Sequence, residues 1–215
     1  MERDLADYRK SYDKGELLLE NTPDNPLQLF QNWFEEVDSH FKEEETNAMT
    51  LSTIGKDGFP KSRVVLLKKY SAEGFVFYTN YKSEKGRAIK ENPNVCLSFF
   101  WPGAERQIII KGTVNKISEE ESDAYFNSRP VGSQLGAVAS HQSETVLNRE
   151  ILEKHLTELK KDHKDRMIKR PDVWGGYIVN PISVEFWQGR ANRLHDRVLY
   201  SQDSGGNWLR VRLQP

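Results

Sequence analysis

Ala48-Met-Thr-Leu-Ser-Thr-Ile54, Lys56-Asp-Gly58, Lys61-Ser-Arg-Val-Val-Leu-Leu-Lys-Lys-Tyr70, Ala72-Glu-Gly74 and Phe75-Val-Phe-Tyr-Thr-Asn80 follow one another almost without a break. Three segments rich in β-branched and aromatic residues are separated by short turns that carry glycine, the pattern of strands joined directly. Parallel strands would need a crossover of a dozen or more residues between them, and there is no room for one here. The sheet is therefore expected to be antiparallel. Further strand-like segments lie at Val95–Trp101, Arg106–Ile117, Trp174–Val179, Ser183–Gln188 and Arg193–Ser201, and Asp203-Ser-Gly-Gly206 turns into a last strand at Trp208–Leu213. With this many strands, closure into a barrel removes exposed edges. The expected fold is mainly β, an antiparallel barrel with peripheral helices.

The helices have their own signals. Asn25-Pro26 opens one in which Leu27, Phe30, Trp33, Phe34, Val37 and Phe41 recur at helical spacing. Ser83 to about Glu91 reads as a short helix stopped by Asn92-Pro93. Ser118-Glu-Glu-Glu121 has capping-box spacing and opens a helix that Pro130 closes. Residues 148–162 place Ile151, Leu152, His155, Leu156 and Leu159 on one face. Residues 1–24 are polar, without a sustained apolar period, and read as a mobile arm, leaving 25–215 as a single domain.

Bulk properties narrow the function classes. The chain has 215 residues, with 31 Lys plus Arg against 32 Asp plus Glu, a net charge of −1. That balance gives no global field to recruit nucleic acid or an anionic membrane, so any anion site must be local. The single Cys96 excludes an intrachain disulfide, and no His/Cys grouping suggests a metal. The charged N-terminus is unlike a secretory signal, and no apolar run approaches a membrane span; a cytoplasmic location is expected.

Local anion chemistry has three candidate places. In Phe186-Trp-Gln-Gly-Arg-Ala-Asn-Arg-Leu-His-Asp-Arg197, an extended backbone would turn Arg193, His195 and Arg197 to one face, beside Trp187. Such a cluster suits a planar anionic ligand, although a solvated edge strand reads equally well from spacing alone. Arg63-Val64-Val65-Leu66-Leu67-Lys68 puts two cations around four apolar residues; a regular strand would send them to opposite faces, so one site uses both only through a bulge or a strand end, and on pattern alone a buried strand with solvated ends reads better. Tyr125 and Arg129 share a helix face, and Pro130-Val-Gly-Ser133 leaves by a turn; phenol, guanidinium and hydroxyl meeting there suit a phosphate monoester, as they also suit a plain helix C-terminus. Gln107 at a strand entrance and Gln142-Ser143 in a polar loop carry little signal alone. No Gly-x-Ser-x-Gly elbow or Gly-rich phosphate loop is present.

Taken in order, Arg9-Lys-Ser-Tyr12, Arg63–Lys68, Val76-Phe-Tyr-Thr-Asn80, Glu105-Arg-Gln107, Tyr125-Phe-Asn-Ser-Arg-Pro130, Trp174-Gly-Gly176, Phe186-Trp-Gln-Gly189, Arg193-Leu-His-Asp-Arg197 and Arg212-Leu-Gln-Pro215 resemble the pyridoxamine 5′-phosphate oxidase family over nearly the whole chain. The resemblance implies an FMN-binding split β-barrel that works as a homodimer with FMN at the subunit interface. It implies oxidation of pyridoxamine or pyridoxine 5′-phosphate to pyridoxal 5′-phosphate by dioxygen, in vitamin B6 biosynthesis and salvage. By the same resemblance, FMN contacts fall to Arg63, Val64, Val65, Leu66, Leu67, Lys68, Tyr78, Thr79, Lys85, Gln107, Gln142, Ser143, Trp187 and Arg197. Substrate phosphate falls to Lys68, Tyr125, Arg129 and Ser133. Arg193 and His195 take the catalytic positions over the pyridine ring, and Arg9 and Tyr12 belong to an arm that closes over the site. One position departs from the pattern. After Ser83 the family usually has a basic residue before the lysine, where it helps hold the FMN phosphate; here that position is Glu84. An acid there repels a phosphate, so Glu84 must turn away or binding must lean on Arg63 and Lys85, and weaker FMN affinity is expected.

Overall fold

The computed structural model describes residues 2–41, 45–163 and 167–215. Its strands are β1 (Ala48–Ile54), β2 (Pro60–Leu66), β3 (Lys69–Ser71), β4 (Gly74–Asn80), β5 (Asn94–Trp101), β6 (Arg106–Lys116), β7 (Trp174–Gln188), β8 (Asp196–Gln202) and β9 (Trp208–Leu213). They form one sheet in the order β2-β1-β5-β6-β7-β4-β3, with β8 joined to β7 and β9 to β8. The pairs β3–β4, β4–β7, β7–β8 and β8–β9 are all antiparallel, as the short turns joining β3 to β4 and β8 to β9 require of those two pairs. Among the described residues five α-helices accompany the sheet: α1 (Pro26–His40), α2 (Glu84–Glu91), α3 (Glu119–Ser128), α4 (Val131–Ala139) and α5 (Arg149–Asp162).

Contacts divide the described chain into two compact units. The first comprises residues 1–50, 96–111 and 181–215. Its core forms because α1 starts cleanly: Pro26 needs no N–H partner at the first position, and Asn25 Oδ1 accepts from the Leu27 N–H at 2.9 Å. The helix then buries Leu29, Phe30, Trp33 and Val37. Phe30 meets Phe99 at 5.3 Å and Trp33 meets Phe186 edge-on at 5.2 Å, while Phe186 in turn packs on Tyr200. Residues before α1 are fastened by two buried acids. Glu105 Oε2 accepts from the Asp13 and Lys14 N–H groups, and Asp196 Oδ2 accepts from the Leu17 N–H at 3.0 Å.

The second unit comprises residues 51–95 and 112–180. Phe126, Leu135, Ile168 and Trp174 form a buried cluster covered by Tyr78, Tyr125, Leu156 and Leu159. Helix α2 is capped by Ser83, whose Oγ accepts from Gly86 N–H, and α3 by Ser118, whose Oγ accepts from Glu121 N–H at 3.1 Å.

The structure departs from the sequence expectation in four places. The strand expected over 61–70 is two, β2 and β3, parted at Leu67 and Lys68. Helix α4 occupies residues expected to leave α3 as a turn: Pro130 ends one helix and serves as the N-cap of the next. Its Gly132 and Gly136 weaken the helical signal, yet burial of Gln134 and Leu135 holds it. The two strands expected at 174–179 and 183–188 are one strand, β7. Pro181 falls between the residues paired with β4 and those paired with β8, where its missing N–H costs no bond on that edge. The strand expected from Arg193 begins only at Asp196, because Ala191–Arg193 is a turn in which Asn192 and Arg193 both take left-handed backbone angles (φ 57° and 61°). Alternation therefore does not align Arg193, His195 and Arg197.

Candidate functional site

Most residues singled out in the sequence line two clefts, one in each unit. The cleft in the second unit, about 710 Å³, is lined by Arg63, Val64, Val65, Leu66, Lys68, Tyr78, Thr79, Lys85, Tyr125, Arg129, Ser133 and Gln142, with Asn80, Pro130 and Trp174 beside them. Arg63 and Lys68 share it because β2 ends at Leu66; Lys68 lies past the strand end, its N–H donating to Val76 O at 2.8 Å. Leu67 points into the core and is 4% exposed. Gln142 accepts from Thr79 Oγ1 at 3.2 Å, and Ser143 Oγ accepts from the Glu84 N–H.

Charge gives this cleft its chemistry. Four cations line it, and no lining residue is acidic. Arg63 is held by Leu51 O and Thr53 Oγ1, and burial lowers its pKa. Lys85 is only 8% exposed; burial first, then the neighbouring Arg63 charge, lowers its pKa. Arg129 lies over the Trp174 ring at 4.6 Å, and its buried Nη1 has no hydrogen-bond partner. Its pKa is lowered by burial. A buried guanidinium N–H without an acceptor is costly, and like charges repel at low dielectric. An anion carrying several acceptor oxygens relieves both, which fits the phosphate of a cofactor or a substrate. The apolar wall is a stack: Tyr78 on Tyr125 at 3.8 Å and on Trp174 at 5.6 Å, nearly parallel. Burial, followed by the charge of Glu121, pushes the Tyr78 phenol up to about 12.

The cleft in the first unit, about 750 Å³, is lined by Arg9, Tyr12, Trp187, Arg193 and His195 together with Tyr8, Lys10, Ser11, Arg190 and Asn192. Tyr12, Trp187 and His195 form an aromatic triangle, with Trp187–His195 at 4.6 Å and Tyr12 at 5.8 Å from each. His195 Nδ1 accepts from the Arg190 N–H at 3.1 Å, so a proton on the neutral ring sits at Nε2. Arg190 was not singled out in the sequence; neither was Trp174 as a cleft wall. Two other residues face elsewhere. Gln107 donates to Ser98 Oγ at 3.4 Å, and Arg197 is tied to Glu185 at 2.8 Å and to Gln214 O.

The geometry is matched by kinship. Residues 35–161 fit the family model described as pyridoxamine 5′-phosphate oxidase. The chain belongs to the pyridoxamine 5′-phosphate oxidase family. Residues 174–215 fit the model of the pyridoxine 5′-phosphate oxidase C-terminal dimerisation region, which supports a homodimer. A pyridoxine/pyridoxamine 5′-phosphate oxidase of Flavobacterium johnsoniae is 60% identical, covering 98% of both chains, and one of Rubrobacter xylanophilus is 51% identical over 99% of this chain and 97% of its own. Among solved structures, PhzG from Burkholderia lata, in complex with tetrahydrophenazine-1-carboxylic acid, superposes with a TM-score of 0.87 at 30% identity, covering 94% of this chain and all of its own. A related FMN-binding protein from Nostoc punctiforme shares the fold at a TM-score of 0.69 and 15% identity, covering 87% of this chain and 96% of its own. The antiparallel split barrel with peripheral helices expected from the sequence is thus the fold of this oxidase family. Among the described residues no helix is long and apolar enough to cross a membrane, and no metal-binding group of His, Cys, Asp or Glu occurs.

Proposed function

We propose that this chain is a homodimeric FMN-dependent oxidase that converts pyridoxamine or pyridoxine 5′-phosphate to pyridoxal 5′-phosphate, working in the cytoplasm. Dioxygen is the final acceptor, giving hydrogen peroxide, and the amine also releases ammonia. The observation that carries this reading is the cleft of four cations and no acid, with an orphaned buried Nη1 on Arg129, in a chain 60% identical to an oxidase of that name.

The residues divide the work by charge and reach. Arg63 and Lys85, with Thr79, Gln142 and Ser143, hold the FMN phosphate end; Val64 to Leu67 offer backbone, and FMN lies at the subunit interface with Gln107, Trp187 and Arg197 among its contacts. Lys68, Tyr125, Arg129 and Ser133 hold the substrate phosphate. A dianion clamped at one end fixes where the ring lies, and orientation of this kind lowers a barrier by several kcal/mol. FMN bound there would supply the two-electron redox chemistry that couples oxidation of the substrate carbon to dioxygen. Arg193 orients the reacting amine or alcohol. His195, its Nδ1 occupied by the Arg190 N–H, holds or moves a proton at Nε2. Arg9 and Tyr12 belong to an N-terminal arm, residues 1–24, that closes over the substrate.

The test is anaerobic. FMN-loaded protein mixed with pyridoxine 5′-phosphate should lose its oxidised flavin absorbance, and air should restore it as pyridoxal phosphate appears. Flavin that stays oxidised with both phosphorylated vitamers would refute the substrate assignment while leaving the fold intact.

A further inference from the structure

Glu84 is the first residue of α2, directly before Lys85. Its charge acts on both Arg63 and Lys85. An acid in that place is at home on a helix N-terminus, and so is a phosphate. The two anions compete for the same cations. In the structure the Glu84 carboxylate is committed elsewhere: Lys61 Nζ donates to both of its oxygens, each at 2.6 Å. Lys61 lies on β2 two residues before Arg63, so the strand that supplies the phosphate cation also supplies the group that restrains the acid. Lys61, Arg63, Glu84 and Arg87 share a cleft of about 540 Å³ that meets the cationic cleft at Arg63.

We infer that Lys61 is a positioning residue that holds Glu84 away from Arg63 and Lys85 and so keeps their charges available to the FMN phosphate. This rests on the reading of Arg63 and Lys85 as the phosphate site. Without Lys61, the carboxylate is free to turn to Arg63, and FMN must displace it.

The experiment is a titration of apoprotein with FMN and with riboflavin, followed by flavin fluorescence, in the wild type, Lys61→Met, Glu84→Gln and the double variant. Lys61 is 60% exposed, so its loss leaves the core untouched, and Lys61→Gln serves as a second variant should Met impair folding. Lys61→Met is expected to weaken FMN binding about three- to fivefold, the upper range for an exposed ion pair, and to leave riboflavin binding unchanged. In the Glu84→Gln background the same substitution is expected to change FMN binding less than about 1.5-fold, because the acid it restrains is gone. Equal losses in both backgrounds, or equal losses for FMN and riboflavin, would overturn the role of Lys61. A wild type that binds FMN no better than riboflavin would instead overturn the phosphate site itself, and the inference with it.

Discussion

Replacing Arg129 with methionine tests the anion site from two sides at once. In the ligand-free protein Arg129 is held against its own electrostatics: Nη1 is buried without an acceptor, and burial lowers its pKa. Relief of one unsatisfied buried donor is worth about 1–3 kcal/mol. Against that, the guanidinium over Trp174 at 4.6 Å contributes roughly 0.5–2 kcal/mol of cation–π attraction, which methionine forfeits. The two nearly cancel, and methionine keeps most of the packing against Trp174. Stability of the ligand-free variant should therefore move by no more than about 1 kcal/mol, or roughly 2–4 °C in Tm for a chain of this size. Function should move much further. One charged hydrogen-bond donor to a phosphate is worth about 1.5–3 kcal/mol, a loss of roughly ten- to 150-fold in kcat/KM. The assay is pyridoxal phosphate formation from pyridoxine 5′-phosphate, with unphosphorylated pyridoxine as the control whose slower rate should not change. An unchanged kcat/KM for the phosphorylated substrate, or an equal fall for both, would refute the assignment. A Tm lowered by more than about 8 °C would refute the claim that the site stores unfavourable energy for its ligand.

Other perturbations reach the remaining parts. Arg193→Ala and His195→Ala should each retain FMN, seen as an unchanged flavin spectrum after gel filtration, while slowing anaerobic flavin reduction at least tenfold; wild-type rates in both would remove them from the reaction. Gly189→Ala would put a methyl carbon 2.7 Å from Tyr12 Cγ, so the segment around Tyr12 must lift from Trp187 and His195. Proteolysis within residues 2–14 should then quicken while the global Tm shifts by less than about 3 °C, and unchanged proteolysis would count against the contact. The phenols of Tyr78 and Tyr177 are each raised from 10.0 to about 12 by burial. A raised folded-state pKa gives stability that is complete below pH 10 and lost as pH climbs towards 12, so denaturant midpoints should fall across that window. The fall should be shallower in Tyr78→Phe, and a midpoint independent of pH above 10 would contradict the burial argument.

Local signals in the sequence carried much of this structure. The caps at Asn25, Ser83, Ser118 and Asn148 mark four of the five helix starts, because capping is a contact between residues two or three apart. Tyr125 and Arg129 meet in one cleft as helical spacing implies, and Lys68 joins Arg63 through the strand end that the pattern required. Signals were lost where backbone conformation or long separation decides. Helix α4 hides behind its glycines, and the left-handed angles at Asn192 and Arg193 cannot be read from composition, although asparagine tolerates them. The Lys61–Glu84 pair spans 23 positions, and the Tyr78–Trp174 stack joins partners on paired strands β4 and β7. Neither has a local signature.

How a chain of net charge −1 builds a cleft lined by four cations and no acid is answered by where its acids go. Helix α3, which delivers Tyr125 and leads into Arg129, is itself acidic, yet three of its four carboxylates are engaged elsewhere. Asp123 and Glu119 both bind Arg170, and Glu121 accepts from Lys69. Glu84, the acid next to Lys85, is taken by Lys61. The Lys69–Glu121 and Lys61–Glu84 pairs are exposed on both sides and contribute little stability on their own, whereas the buried Arg170 needs its two acids. Their shared effect is to withhold carboxylates from Arg63, Lys85 and Arg129, so that the strongest acceptor able to reach those three is one brought by a ligand. Stacked rings then fix the wall: Trp174 lies within 6° of parallel to Tyr125 and places a π face under the Arg129 guanidinium. On the proposed reading of this cleft as a phosphate site, its specificity is set as much by the partners assigned to the surrounding acids as by the cations that would touch the ligand.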